Sequence, residues 1–274
     1  MTATVPLEPE SDAYPTGLHD LEDPPRLWLR GTLDEAPGVA VVGTRRCTRY
    51  GVDLAESFGA VIARAGWTTV SGLARGIDTA AHRGCLRVSG HAVAVLGSGI
   101  DVCYPRENKP IYDEIVHTGG AIVSEYSPGT PPDRWRFPAR NRIIAAMSAA
   151  IVVVEAGATG GALITARLGA ELGRPVFVVP GDVDRAMSEG CNRLIRDGAH
   201  PVLGSADLLE ELSLVVGPPA SLFDTSHGIP AEGVPVGDLP EIWSLTVTES
   251  LIKLGRLEME GKVRRLGDYI VPVS

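Results

Sequence analysis

The chain has 274 residues, 44% of them hydrophobic, enough for one large core and a small second one. No apolar run approaches the roughly 20 residues of a membrane span, the acidic N-terminus lacks the basic region of a signal peptide, and four scattered cysteines (Cys47, Cys85, Cys103, Cys191) make neither a C-x-x-C zinc pattern nor a disulfide framework, so a reduced, cytoplasmic protein is expected. A net charge of −9 argues against a nucleic-acid partner until its distribution is read: residues 1–25 and 197–252 carry no Lys or Arg, whereas residues 26–196 hold 20 basic against 16 acidic residues.

Residues 1–37, rich in Pro and acids, read as a lead-in segment in which Tyr14-Pro15 and Pro24 to Gly31 suggest an extended strand and the remainder is frayed. From Val39 six apolar runs follow, at 39–43, 68–72, 91–97, 121–125, 151–156 and 176–181. Helical segments near 51–65, 76–88, 107–117, 139–149, 162–172 and 188–197 alternate with them. That alternation requires right-handed crossovers and a parallel sheet. The run Ile151 to Val154 is β-branched throughout, which suits a central strand covered on both faces. The expected fold is therefore α/β, an open doubly wound, mostly parallel sheet over residues 38–212, with Pro201 to Leu203 as a further edge strand. A Pro- and Gly-rich linker at 213–237 and a small module at 238–274 complete the chain.

Ligands of such sheets bind beyond the carboxyl ends of the strands. There the sequence places Gly43-Thr44-Arg45-Arg46, Ser71-Gly72, Gly97-Ser98-Gly99, and the loop from Gly157 through Gly160, Gly161 and Ala162 that opens a helix. Small residues and the unpaired N–H groups of a helix start let a phosphate approach the backbone. A plain tight turn explains any one of these loops; a shared anion site explains all four. The stretch Arg134 to Arg142, RWRFPARNR, packs four Arg and two aromatics without an acid into nine residues. Guanidinium groups for phosphates and rings for base stacking, worth about 1–3 kcal/mol per base, are what single-stranded nucleic acid requires. The alternative is a solvated basic loop with Trp135 and Phe137 tucked into the core.

The ordered motifs VGTRR (42–46), SGLARGID (71–78), AHRG (81–84), YPREN (104–108), FPARNRII (137–144) and VPG (179–181) resemble the DNA processing protein A (DprA, also Smf) family over about residues 14–212. The resemblance implies an extended Rossmann-type fold, homodimers, and a non-enzymatic role in natural transformation, or competence: binding single-stranded DNA and delivering it to the RecA recombinase. Carried over by position, the Gly-Ser/Thr-Arg motif sets Arg45 against a DNA phosphate, and Phe137, Arg140 and Asn141 enter the pocket with Arg142 beside them. Arg46 is open to either role, phosphate contact or partner of an internal carboxylate. Where the family commonly has a serine, this chain has Ala162, which removes one hydroxyl contact. Dimer contact is implied for about Gly198 to Leu214, where Leu208, Leu209 and Leu212 lie on a helix; packing back on its own sheet is the competing reading. Families of this kind usually end in a winged helix, of which residues 238–274 supply the last parts and no first helix. Against the family pattern, the chain begins just before Tyr14-Pro15, without the usual N-terminal helical domain.

Two enzymatic readings compete. A nucleotide-processing phosphoribohydrolase on the same architecture needs a glutamate just after the central glycines, and no carboxylate stands between Glu155 and Glu171. Asp78 and His82, four apart, read either as an acid–base pair or as a helix-start Asp with a local contact. A nicotinamide enzyme needs a third glycine where Val102 stands. A nucleotide sensor would share the loops and lack the Phe137 to Arg142 element. No catalytic residue, metal or cofactor is expected.

Overall fold

A computed structural model describes residues 4–217, 229, 233–259 and 262–272, which divide into two compact units on either side of the Gly217–Pro218 bond. With β1 (Thr4–Leu7) and β2 (Leu27–Gly31) at one edge, the first unit is a nine-stranded sheet in the order β1-β2-β6-β5-β4-β3-β7-β8-β9. Its parallel strands are β3 (Gly38–Val42), β4 (Thr68–Ser71), β5 (Ala92–Leu96), β6 (Ala121–Ser124), β7 (Ala150–Val153), β8 (Val176–Val178) and the edge β9 (His200–Pro201). The helices α1 (Arg49–Arg64), α2 (Ile77–Arg87), α3 (Lys109–His117), α4 (Arg136–Ala146), α5 (Gly161–Glu171), α6 (Glu189–Arg196) and α7 (Ser205–Val215) connect and flank them.

Alternation along each strand explains why both faces are covered. In β3, Val39 and Val41 pack with Phe58 and Ile62 of α1, while Ala40 and Val42 pack with Ile143 and Ile144 of α4 and Ala166 of α5. The helices thus lie on both sides of a mostly parallel sheet, the doubly wound arrangement that the strand–helix alternation requires. Strand order runs outward from β3 through β4 and β5 to β6 in one direction and from β7 to β9 in the other. The topological switch therefore falls between β3 and β7, and a crevice opens beyond their carboxyl ends.

The lead-in is not frayed over residues 4–25, a correction with a long-range cause. β1 (Thr4–Leu7) pairs antiparallel with β2 (Leu27–Gly31), which pairs antiparallel with β6. Leu7, Tyr14, Leu18 and Leu27 are all buried in the core that holds α4, and the Tyr14 hydroxyl donates to the Pro25 carbonyl at 2.7 Å. Burial of one such aliphatic side chain contributes about 1.5–3 kcal/mol, which holds a segment whose composition alone favours disorder.

In the second unit, β10 (Val234–Pro235), β12 (Tyr269–Pro272) and β11 (Val263–Leu266) form an antiparallel sheet in that order. They close over α8 (Leu239–Trp243) and α9 (Val247–Met259) around Leu239, Leu254, Leu257 and Ile270. A capping box starts α9: Glu249 N–H donates to Thr246 Oγ1 at 3.2 Å while the Glu249 carboxylate accepts from Thr246 N–H at 2.7 Å. The strand β10 lies inside the stretch read as linker. Most of the rest of that stretch, where a first helix was sought, lies outside the described residues. Among the described residues no helix is long and apolar enough to cross a membrane.

Candidate anion-binding cleft

A cleft of about 950 Å³ opens at the switch point, lined by the loops after β3 and β7, by α4 and by the start of α5. Glu155, buried directly after the β7 run, joins the two loops: its backbone carbonyl accepts from Thr44 N–H at 2.7 Å, and its carboxylate accepts from Thr48 N–H at 2.8 Å and Thr48 Oγ1 at 2.6 Å. Thr48 in turn caps α1 by accepting from Gly51 N–H. The sequence reading passed over Glu155 as a site residue, although an acid ending an apolar run was the available signal.

The loop fixed in this way presents Arg45 and Arg46. Both are exposed, both line the cleft, and neither forms an ion pair with a described residue, so the internal-carboxylate role considered for Arg46 is not realised. The Arg45 guanidinium lies 5.1 Å from the centroid of Phe137, whose ring is 5.5 Å from that of Tyr104. Tyr104, part of the YPREN motif, lines the same cleft and was not among the expected site residues. Two further lining cations were not among the expected site residues: Arg134, ahead of α4 and part of the RWRFPARNR stretch, and Arg167 on α5; both are exposed and have no ion-pair partner among the described residues. Arg167 is the lone basic residue of an Ala-rich helix, and that isolation was its only signal.

The floor differs from the rim. Arg140 is 3% exposed, and its Nη1 donates to the carbonyls of Gly72, at 2.8 Å, and Val95. Burial pulls its pKa down to about 10, opposed by attraction to Asp78, so it remains a cation at neutral pH. Asp78 accepts from the N–H groups of Gly72 and Ala74 at 3.2 and 3.4 Å, and burial raises its pKa while Arg140 lowers it. His82 is fully buried, neither ring nitrogen has a hydrogen-bond partner among the described residues, and burial followed by the Arg140 charge lowers its pKa to about 3. Asp78 and His82 therefore make no acid–base pair; Asp78 is a turn-holding carboxylate. Asn141 donates to the Gly161 carbonyl at 3.0 Å and ties α4 to the start of α5.

The glycine loops divide by role. A Cβ on Gly43 would lie 2.8 Å from Ile77 Cβ, one on Gly72 2.6 Å from Arg140 Cζ, one on Gly97 2.8 Å from Phe137 Cδ1, and one on Gly99 2.6 Å from the Ser127 carbonyl oxygen. At these four positions the absent side chain admits another part of the protein. Gly160 has nothing within 4 Å and Gly161 only the Asn141 amide, so the open backbone is that of the central loop. There α5 starts with no side-chain cap, and its first-turn N–H groups have no intrahelical acceptor. Ala162 lines the cleft beside them.

Of the expected site residues, Gly43, Thr44, Arg45, Phe137, Arg140, Asn141, Gly160, Gly161 and Ala162 line this cleft, and Gly72 lines the small adjoining recess between Arg45 and Phe137. Four lie elsewhere, and Gly97 supports the Phe137 ring from beneath. Ser71 donates to the Val41 carbonyl at 2.7 Å and Ser98 to the Val102 carbonyl at 2.7 Å, both buried. Gly99 packs on the 127–130 turn. Arg142 points away and pairs with Glu125. Trp135 is neither in the cleft lining nor in the core: it is 59% exposed and meets Tyr126 edge-on.

The helix with the expected dimer contact buries Leu208 and Leu212 completely in its own core, beside Phe58 of α1. That corrects their assignment: packing on the chain's own sheet accounts for them. Leu203, just after the edge strand β9, and Leu214 of the same region are exposed.

Comparison with known proteins places this geometry. A model of the DNA recombination-mediator protein A family matches residues 6–213. Protein Smf of Synechocystis is 42% identical over 216 residues, which are 76% of this chain and 54% of that protein. DNA processing protein DprA of Streptococcus pneumoniae is 42% identical over 203 residues, 73% of this chain and 71% of that protein. This chain thus spans about half the length of the first of these relatives. A crystal structure of the S. pneumoniae DNA processing protein A superposes with a TM-score of 0.70 at 40% identity, covering 76% of this chain and 74% of that one. The Helicobacter pylori DNA processing protein A, whose structure concerns its unique single-stranded DNA binding mode, superposes with a TM-score of 0.68 at 29% identity, covering 77% of this chain and 98% of that one.

Proposed function

The chain belongs to the DNA recombination-mediator protein A family, and from that premise we propose that it binds single-stranded DNA in the cleft at the β3/β7 switch point, as a non-enzymatic DNA-processing protein of recombination. One observation carries the reading: Arg45, Arg46, Arg134 and Arg167 converge without ion-pair partners among the described residues around the uncapped start of α5, beside the Tyr104 and Phe137 rings. Free guanidinium groups and a helix N-terminus suit a phosphate backbone, and stacked rings suit unpaired bases. Asp78 is the one carboxylate among the residues lining the cleft, and backbone N–H groups already occupy it. That supports binding without turnover.

The proposed role extends to loading RecA on the bound strand during natural transformation in the cytoplasm. The proposed assembly is a homodimer through about Gly198 to Leu214, supported by β9 as the last strand of the sheet among the described residues and by exposed Leu203 and Leu214. Residues 234–272 fit a winged-helix-like module in their succession of strand, two helices and hairpin, the strand β10 standing ahead of the expected start at 238. Competition between single- and double-stranded oligonucleotides of one sequence tests the central claim. Preferential retention of the single strand at rising salt is expected, and equal affinity for the duplex would overturn it. Sedimentation velocity at micromolar concentration tests the dimer, with Leu203→Asp expected to yield monomer.

A further inference from the structure

A second groove, of about 1090 Å³, lies on the other side of α5, between that helix, α6 and the β9 edge. Ala158, Leu163 and Arg167 line both this groove and the cleft, so one surface runs over α5 with an unpaired guanidinium at its crest. Its far part carries cations as well: Arg174, Arg193, Arg196 and His200 line it, Arg174 being paired with Asp20, and Asp197 is the one carboxylate in the lining. Small residues, Ala166, Ala170, Gly173 and Gly198, line it as well.

The ion pairs present do not close the groove to an anion. Arg196 and Asp197 stand 3.8 Å apart with side chains 77% and 67% exposed, and Arg193 meets Glu189 at 2.5 Å with side chains 53% and 45% exposed. Surface pairs of this kind are screened by solvent and contribute little. A phosphate offers the same guanidinium groups a charge-assisted bond of at least equal strength.

We infer that the single strand held in the cleft continues over Arg167 into this second groove, where Arg193 and Arg196 neutralise further phosphates. The inference rests on the proposed single-strand reading of the cleft. A polyanion of uniform spacing fits a continuous line of cations on small residues, whereas an isolated anion would need only one end of it.

Anisotropy titrations of the full chain with labelled oligothymidylates of about 5 and about 20 nucleotides, at several salt concentrations, test this, since each phosphate neutralised on a single strand adds about 0.7 to the slope of log affinity against log salt. The 20-mer is expected to show the steeper slope. In the Arg193→Ala/Arg196→Ala variant that slope should fall by about 1.4, while binding of the 5-mer, confined to the cleft, stays at the parent value. Arg167→Ala should lower both slopes by about 0.7. A double variant that binds the 20-mer with the parent slope overturns the inference, as a groove for an acidic protein segment would; equal loss on both oligonucleotides overturns it too. Failure of the parent chain to bind the 5-mer would instead strike the cleft reading, so the two failures are distinct.

Discussion

Arg45→Ala and Arg140→Ala, on elements that meet in one cleft, are expected to fail in different ways. Arg45 is one of four cleft guanidinium groups without an ion-pair partner among the described residues. With about 0.7 per phosphate, four contacts give a salt slope near −2.8 on a short single strand and three give about −2.1. Between 50 and 200 mM salt the parent should therefore lose about 50-fold in affinity and the variant about 20-fold. The Arg45 charge over Phe137 is a contact within the free protein, so its loss lowers folding stability by about 0.5–1 kcal/mol and leaves the slope untouched. Arg140 contributes differently, because its guanidinium is spent on the carbonyls of Gly72 and Val95 and faces Asp78. Its removal leaves two buried carbonyls without their donor and takes a positive charge from the neighbourhood of buried Asp78, together a loss of about 3–5 kcal/mol. For a unit of this size that is a fall in Tm of about 6–20 °C. Anisotropy titrations with a 5-mer and thermal melts of the two variants read both quantities. An Arg45→Ala protein with the parent salt slope and an unchanged Tm would refute the assignment of rim and floor.

Gly97→Ala should push the Phe137 ring from its seat, since the new Cβ would lie 2.8 Å from Cδ1; single-strand affinity is expected to drop by about 1 kcal/mol with the salt slope unchanged, as a stacking platform is lost and no phosphate contact is. His82 gives stability a pH dependence of definite sign. Its folded pKa of about 3 lies below the ordinary 6.5, so below pH 6.5 the unfolded chain takes up a proton that the folded chain does not, and the contribution, full above 6.5, is lost as pH falls toward 3. Between pH 7 and pH 5 the parent should lose about 2 kcal/mol more than His82→Gln in urea unfolding, and parallel losses in the two proteins would remove His82 as the cause.

The sequence by itself determined the layout: unbroken apolar runs such as Ile151 to Val154 and the helical segments between them leave a parallel sheet as the arrangement that buries both faces, and the short glycine loops fall at its carboxyl edge, where the cleft opens. Those are local periodicities, and they survive in one dimension. Which of the similar residues does which task was decided only by tertiary contact. In RWRFPARNR, Arg134 reaches the cleft, Arg136 lies between Trp135 and Tyr126, Arg140 goes under the floor and Arg142 to Glu125, because successive helical positions turn about 100° and meet partners far away in the chain. The glycines were alike on the page for the same reason: Gly72 and Gly97 make room for Arg140 and Phe137, while Gly160 faces open space. The acidic lead-in joined the sheet through pairing with β6, some ninety residues on, a contact that no local pattern encodes. Arg167 carried no motif, and the cavities on both sides of α5 single it out once the helix is packed.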